Sequence, residues 1–370
     1  MRISNFKLER YFAKYEFQAP YILCASDCET FNVQELLNLE ETATKKLKNL
    51  KLGYTEYLGH PDLRKEISKI YYNNEMYNVI VFSGAEEAIF IFMNSILERE
   101  DHIIVQYPAY QSLYEIAHSI GCEITKWVMN PLDNWTLDIN FLEESIQKNT
   151  KAIIINFPHN PTGTLISERE FMTLIRIARD YDIYLFSDEV YRFLEHNQSK
   201  RLPSAADLYD KAISLGVISK SFGLAGLRIG WIVTEDKILF NRIAALKDYT
   251  TICNSALSEF FAILALKHKE SILQRNIEIV LSNLEILQEF FEKNNNTFNW
   301  NAPSASTVAF PRLKKNVSAE KFCQELLNQQ GVLLLPSSKF DFGDSHFRIG
   351  YGRKNILEPL KRLEIFAKNY

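Results

Sequence analysis

The sequence predicts an α/β protein: a large, mostly parallel sheet sandwiched by helices, with a smaller α+β part drawn from both chain ends. Three observations carry this expectation. From Val79 onward, strand-like and helix-like segments alternate. The apolar runs KAIII (151–155) and IYLF (183–186) are continuous rather than alternating, as in parallel strands covered on both faces. Beyond about Asn295 the texture changes to short strand-like strings separated by helices.

Taken in order, Phe6 to Phe17 reads as a short amphipathic helix closed by Ala19-Pro20. The short apolar stretch Tyr21 to Cys24 leads into an acidic loop, Ser26-Asp27-Cys28-Glu29. Helical periodicity then runs from Val33 to Leu50. After the turns Gly53-Tyr54-Thr55 and Gly59-His60-Pro61, Pro61 suits the first turn of a helix carrying Leu63, Ile67 and Ile70 on one face. Seven strand candidates follow: VIVF (79–82), HIIVQ (102–106), CEITKWV (122–128), KAIIIN (151–156), IYLFS (183–187), AISLGVIS (212–219) and GWIVT (230–234). Ser167 and Glu170 have capping-box spacing and open a helix. From Glu235 the pattern is helical, and STVAFPRL (306–313), VLLLPSS (332–338) and HFRIGYG (346–352) look like strands of a second sheet. Between them a helix from Ala319 to Gln330 is stopped by Gly331, and a last helix starts at Asn355.

The formal net charge is -4, from 42 Lys+Arg against 46 Asp+Glu, which gives no basic surface for nucleic acid or an anionic membrane. The first residues, MRISNFKLERYFAKYEF, have scattered charges and no apolar core of a secretory signal. No apolar run approaches a membrane span, so a cytoplasmic protein is expected. Five cysteines at scattered positions argue for free thiols. Cys24 and Cys28 have no second ligand pair at metal spacing, and no metal is expected.

The stretch SLGVISKSFGLAGLRIGW (214–231) places Lys220 at the end of a buried strand, followed by a glycine-spaced turn around Arg228. A buried lysine is costly as a bare ammonium but stable as a neutral amine or an imine to a carbonyl cofactor. An arginine suits a phosphate, which it grips with two parallel hydrogen bonds. NFPHNPTG (156–163) and SDEVY (187–191) each follow a buried strand, and ligands in open α/β sheets bind at the carboxyl ends of strands. Three strand ends thus offer an amide, a carboxylate with a phenol, and a lysine with an arginine.

These three strings, in this order, resemble the class I/II aminotransferases of pyridoxal-phosphate fold type I, with some likeness to capreomycidine synthase-like members. The resemblance runs from Tyr54 to Arg348. It implies a large cofactor-binding domain over residues 46–265, with 1–45 as an arm and part of a small domain completed by 266–370. It makes Lys220 the internal-aldimine lysine and proton shuttle, Asp188 the partner of the pyridine nitrogen, and Tyr191 and Asn160 the partners of the phenolic oxygen. Arg228 and the helix start Gly84-Ala85-Glu86 would hold the phosphate, with the Glu86 carboxylate turned away, and Ser219 would also bind the cofactor. Tyr110 would stack on the ring. Tyr54 would reach the other subunit's phosphate in a homodimer. Arg348 would hold the substrate α-carboxylate, with Arg353 as a rival better suited to a surface charge. Two departures stand out: Val217 replaces the usual Ser or Gly three positions before the lysine, and Ser26-Asp27-Cys28-Glu29 replaces a Gly-x-Pro turn. Asp27 and Glu29 there would favour a cationic substrate side chain. The implied reaction moves the amino group of an α-amino acid to a 2-oxo acid. The alternative is a lyase, or an oxidase or cyclase of arginine derivatives, on the same scaffold.

Overall fold

The large sheet has seven strands: β1 Val79–Phe82, β2 His102–Tyr107, β3 Glu123–Val128, β4 Thr150–Asn156, β5 Tyr184–Asp188, β6 Ala212–Val217 and β7 Gly230–Val233. They are seen in a computed structural model that describes residues 3–314 and 317–368. Their spatial order is β1-β7-β6-β5-β4-β2-β3. Only β7 runs against its neighbours; the other pairings are parallel. The sheet is therefore the mostly parallel, seven-stranded one that the strand strings predict.

The continuous apolar runs have a direct cause. Successive side chains of a strand point to opposite faces. In β4, Ile153 and Ile155 enter one core while Ile154 enters the other, and β5 divides Leu185 from Phe186 in the same way. Helices Ala85–Ile96 and Glu168–Asp180 supply the facing side chains, Phe92 on one side and Phe171 and Leu174 on the other. Each such isoleucine or phenylalanine contributes about 1.5–3 kcal/mol by leaving water. The edge strand β3 is less covered: Trp127 is its one buried residue, and Ile124 on the opposite face is half-buried against the other core. The helix Glu168–Asp180 starts at the expected capping box: Ser167 Oγ accepts from the Glu170 N–H at 3.2 Å and Glu170 Oε2 from the Ser167 N–H at 3.1 Å.

The two chain ends meet. Tyr21–Ile22 pairs in parallel with Val332–Leu333. Phe347–Gly350 lies between Val308–Ala309 and Leu335–Pro336, and Phe298–Asn299 pairs with Arg312–Leu313. The expected single second sheet is thus three small ones. STVAFPRL is split by Phe310-Pro311, where proline has no N–H to continue a ladder. The helical run Val33 to Leu50 is also divided, into Val33–Leu37 and Ala43–Lys48. The break lets Leu36, Leu37 and Ala43 share one core with Leu63 and Ile67. Helix Ala319–Gln330 ends where predicted, at Gly331 with φ +70°. The last helix is Leu357–Lys368; Asn355, the expected start, has φ +64° and stands outside helical geometry. Among the described residues no helix is long and apolar enough to cross a membrane.

Candidate active site

The register of the sheet brings its functional ends together. Asn156 ends β4 opposite Asp188, the end of β5, and Asp188 lies opposite Leu215 of β6. Beyond them is a cavity of about 390 Å³. Asn156 ties its floor: Nδ2 donates to the Asp188 carbonyl at 2.9 Å, and Oδ1 accepts from the Asn160 N–H at 2.8 Å. Asn160 Oδ1 accepts from Arg348 Nη1 at 3.1 Å, and Arg348 Nη2 donates to the Cys24 carbonyl at 2.9 Å. Arg348 is thus held by both chain ends and by the large sheet. It is 2% exposed, and its Nε has no hydrogen-bond partner among the described residues.

Asp188 is buried and accepts from the Val190 N–H at 3.1 Å. Burial pushes its carboxyl up to about 7, against the pull of that N–H and of the Lys220 charge. Tyr191 and Ser219 are buried in the same wall, and among the described residues neither hydroxyl has a hydrogen-bond partner. Such groups cost about 1–3 kcal/mol each when left unsatisfied. Lys220 Nζ donates to Ser26 Oγ at 2.9 Å and stands 5.7 Å from the centre of the Tyr191 ring. Val217 forms part of the wall beside them.

The opposite end of the cavity suits an anion. The helix from Ala85 has no side-chain cap, so its first N–H groups are available. Gly84 (φ +96°) precedes it, and a Cβ there would lie 2.5 Å from Arg228 Nη2. Glycine is therefore required where the guanidinium crosses the helix start. A Cβ on Gly230 would come within 2.8 Å of the Ala85 nitrogen, so β7 also needs glycine at that point. The Glu86 carboxylate departs from expectation. It lines the cavity and accepts from Ser112 Oγ at 3.1 Å, because the first turn faces inward, and burial pushes it up to about 7.

The structure brings Lys220, Asp188, Tyr191, Asn160, Ser219, Arg228, Ala85, Glu86, Tyr110 and Arg348 to one cavity. Tyr110 is oriented by its hydroxyl, which donates to Glu9 Oε1 at 2.7 Å, and by the Phe6 ring at 4.8 Å. Tyr54 is elsewhere and 94% exposed. Asp27 requires a correction. It is buried beside the cavity rather than lining it, and its two oxygens accept from Nε and Nη2 of Arg353, both at 2.9 Å. Glu29 Oε2 accepts from the Lys354 N–H at 2.8 Å. These acids hold the loop to the chain end, so the expectation that they attract a cationic substrate falls. Arg353 is likewise a clamp rather than a free surface charge.

Sequence reasoning missed Ser26, Leu8, Glu9, Phe12 and Asn156. Ser26 stands next to the flagged acids, and Asn156 opens the flagged NFPHNPTG string. The apolar stripe Leu8–Phe12 was visible in the helix Lys7–Tyr15, but a single stripe does not say what it covers.

The Aminotransferase class I and II family model matches residues 22–360. Capreomycidine synthase of Streptomyces vinaceus is 26% identical over 346 residues, covering 93% of this chain and 88% of that protein. Aspartate aminotransferase of Pyrococcus horikoshii is 29% identical over 345 residues, covering 88% and 86%. A PLP-dependent aminotransferase of known structure from Streptococcus suis 89-1591 superposes with TM-score 0.94 at 31% identity, over 100% of this chain and 99% of that one. The chain belongs to the class I and II aminotransferases. It is a pyridoxal-phosphate-dependent aminotransferase. The residues present fit that cofactor: an uncapped helix start beside Arg228 faces the same cavity as the unpartnered Tyr191 and Ser219 hydroxyls and the buried Asp188.

Proposed function

We propose that this chain transfers the amino group of an α-amino acid to a 2-oxo acid, with Lys220 as the amine that holds the cofactor aldehyde. The observation that carries the reading is the convergence of Lys220, Asp188 and Arg348 on one cavity. Asp188 would keep the pyridine nitrogen protonated. Tyr191 Oη and Asn160 Nδ2 would donate to the phenolic oxygen, the Asn160 carbonyl being taken by Arg348. Arg228, Ser219 and the N–H groups that follow Gly84 would hold the phosphate, and the Tyr110 ring would cover the pyridine face. Arg348, whose Nε is unpartnered, would bind the substrate α-carboxylate. When bound, the cofactor supplies the sink for the electron pair left at the substrate α-carbon. Lys220 Nζ would take the proton from that carbon and return it, with Ser26 Oγ as its resting partner.

Leu52, Tyr54 and Leu257 are exposed large apolar residues that line one shallow pocket. We read this surface as the seat of a second copy, in a homodimer where Tyr54 serves the partner's phosphate. A strict monomer in analytical ultracentrifugation would remove that role. Similarity to a capreomycidine synthase supports a second reading, elimination, oxidation or cyclisation after the same proton removal. One experiment separates the two: the purified protein is mixed with single amino acids and its cofactor absorbance followed. Conversion to the amine form of the cofactor supports transfer, whereas keto acid and ammonia without an acceptor support elimination or oxidation, and a cyclised amino acid supports cyclisation.

A further inference from the structure

The charges of the cavity do not balance once the roles above are filled. Its wall carries three cations, Lys220, Arg228 and Arg348, and three carboxylates, Asp188, Glu9 and Glu86. The ring nitrogen would answer Asp188, the phosphate Arg228, and the substrate α-carboxylate Arg348. Lys220 would be taken up by the cofactor aldehyde, so Glu9 and Glu86 remain. Their hydrogen-bond donors among the described residues are hydroxyls, Tyr110 for Glu9 and Ser112 for Glu86. The two acids sense one another, since the Glu9 charge adds to burial in holding the Glu86 carboxyl up.

The approach to this pair is apolar. Leu8, Glu9 and Phe12 of the helix Lys7–Tyr15 all line the cavity, and the Phe12 ring lies 5.8 Å from the Arg348 guanidinium carbon. That helix is fixed on two sides. The Lys7 N–H donates to Gln111 Oε1 at 2.8 Å, and Tyr11 donates to the Leu334 carbonyl at 2.9 Å. A rigid helix thus presents an apolar wall next to the carboxylate anchor and a carboxylate next to that wall. Arg348 and Tyr191 line the same cavity, and among the described residues Arg348 Nε and Tyr191 Oη are buried without a hydrogen-bond partner.

We propose that the site selects an α-amino acid whose unbranched methylene chain ends in a cation, a guanidinium or an ammonium, received by Glu9 with Glu86 as its second acceptor. The inference rests on the reading of the cavity given under Proposed function. It assigns to the N-terminal helix the selectivity that the Asp27 loop, neutralised by Arg353, does not supply.

The test has two arms. In the first, holoprotein is treated with borohydride and digested, and the cofactor mass is sought on Lys220. Its absence would remove the reading of the cavity and this proposal with it. In the second, cofactor-loaded Lys220→Ala, which does not turn over, is titrated with amino acids while the cofactor absorbance is followed. Arginine is compared with citrulline, its uncharged isostere, and lysine with norleucine. A charge-assisted contact predicts that each cation binds roughly 10- to 100-fold tighter than its neutral partner. Adding Glu9→Gln should collapse both ratios to within about 3-fold, and Glu9→Lys should turn the preference toward glutamate. With the Lys220 label present, two results would overturn the proposal and leave the cofactor reading intact. One is equal binding of arginine and citrulline by the parent protein. The other is a cation preference that survives both Glu9→Gln and Glu86→Gln. Should Glu9→Gln lose its fold, the parent protein's ratios alone decide.

Discussion

Two buried aspartates stand on either side of the same cavity wall and meet opposite treatment. Asp27, in the loop after the first short strand, is matched by a bidentate Arg353. Asp188, at the end of β5, has one backbone N–H and, among the described residues, no ion pair, and burial pushes its carboxyl up to about 7. A buried carboxylate with its own arginine is finished as a structure: it fastens the N-terminal loop to the chain's last turns. A buried carboxylate without one stores a demand for positive charge, which a protonated ring nitrogen meets. Position near a cavity therefore does not make an acid functional. What the fold has already paired with it decides.

The largest effect should come from the group nearest Asp188 in function. Lys220→Ala should abolish turnover and leave the cofactor removable by gel filtration after borohydride treatment. Normal activity in that variant would break the comparison at its root, since Asp188 would then serve some other chemistry.

Next in size is Asp188 itself. Asp188→Asn keeps nearly the same volume and should lower the rate by about 100- to 1000-fold by removing a preorganised charge. Steady-state kinetics on cofactor-saturated protein measures it, and a loss of only a few-fold would point to another partner for the ring. The same pair of proteins, free of cofactor, tests the burial argument. Between its ordinary value of 3.8 and about 7, the folded chain holds a proton on Asp188 that the unfolded chain has released. The stability due to that group is complete below the lower value and fades as pH rises through the upper one. Urea midpoints of the wild type should therefore fall relative to Asp188→Asn between about pH 4 and 7.

Asp27 is tested through the cation that holds it. Arg353→Ala leaves a buried carboxylate without its cation, and we expect a loss of about 1–3 kcal/mol by urea denaturation, discounted for the partial exposure of Arg353. Asp27→Asn should weaken the same clamp while the arginine-to-citrulline ratio stays unchanged. A shifted ratio would return Asp27 to substrate recognition.

The smallest effect concerns Val217, part of the cavity wall. Val217→Ser adds one hydrogen-bonding group within reach of the bound cofactor, worth about 0.5–1.5 kcal/mol if satisfied. Cofactor dissociation should slow by up to about 10-fold, as read by fluorescence on dilution.

Local rules were enough for much of this protein. The period of apolar residues is written in the chain, so β4, β5 and the capped helix at Ser167 are legible there, as are the strand-end strings holding Lys220, Asp188 and Asn160. Those residues converge because parallel strands in one sheet must present their carboxyl ends on one side, a consequence of topology that the strand–helix alternation already implies. The contents of the N-terminal segment were legible in the same way, its amphipathic stripe and its two acids. Their destinations were not. Whether Asp27 meets a substrate or Arg353, and whether Leu8, Glu9 and Phe12 cover a core or a cavity, depends on contacts between residues more than a hundred positions apart. Such contacts form only when the chain ends meet, and no periodicity in a single segment encodes its partner. The sequence by itself determined the sheet and the order of the strand ends that carry Asn160, Asp188 and Lys220. The tertiary structure alone decided which carboxylates were already neutralised and which still faced the cavity, because that balance depends on which charges the folded chain brings into contact.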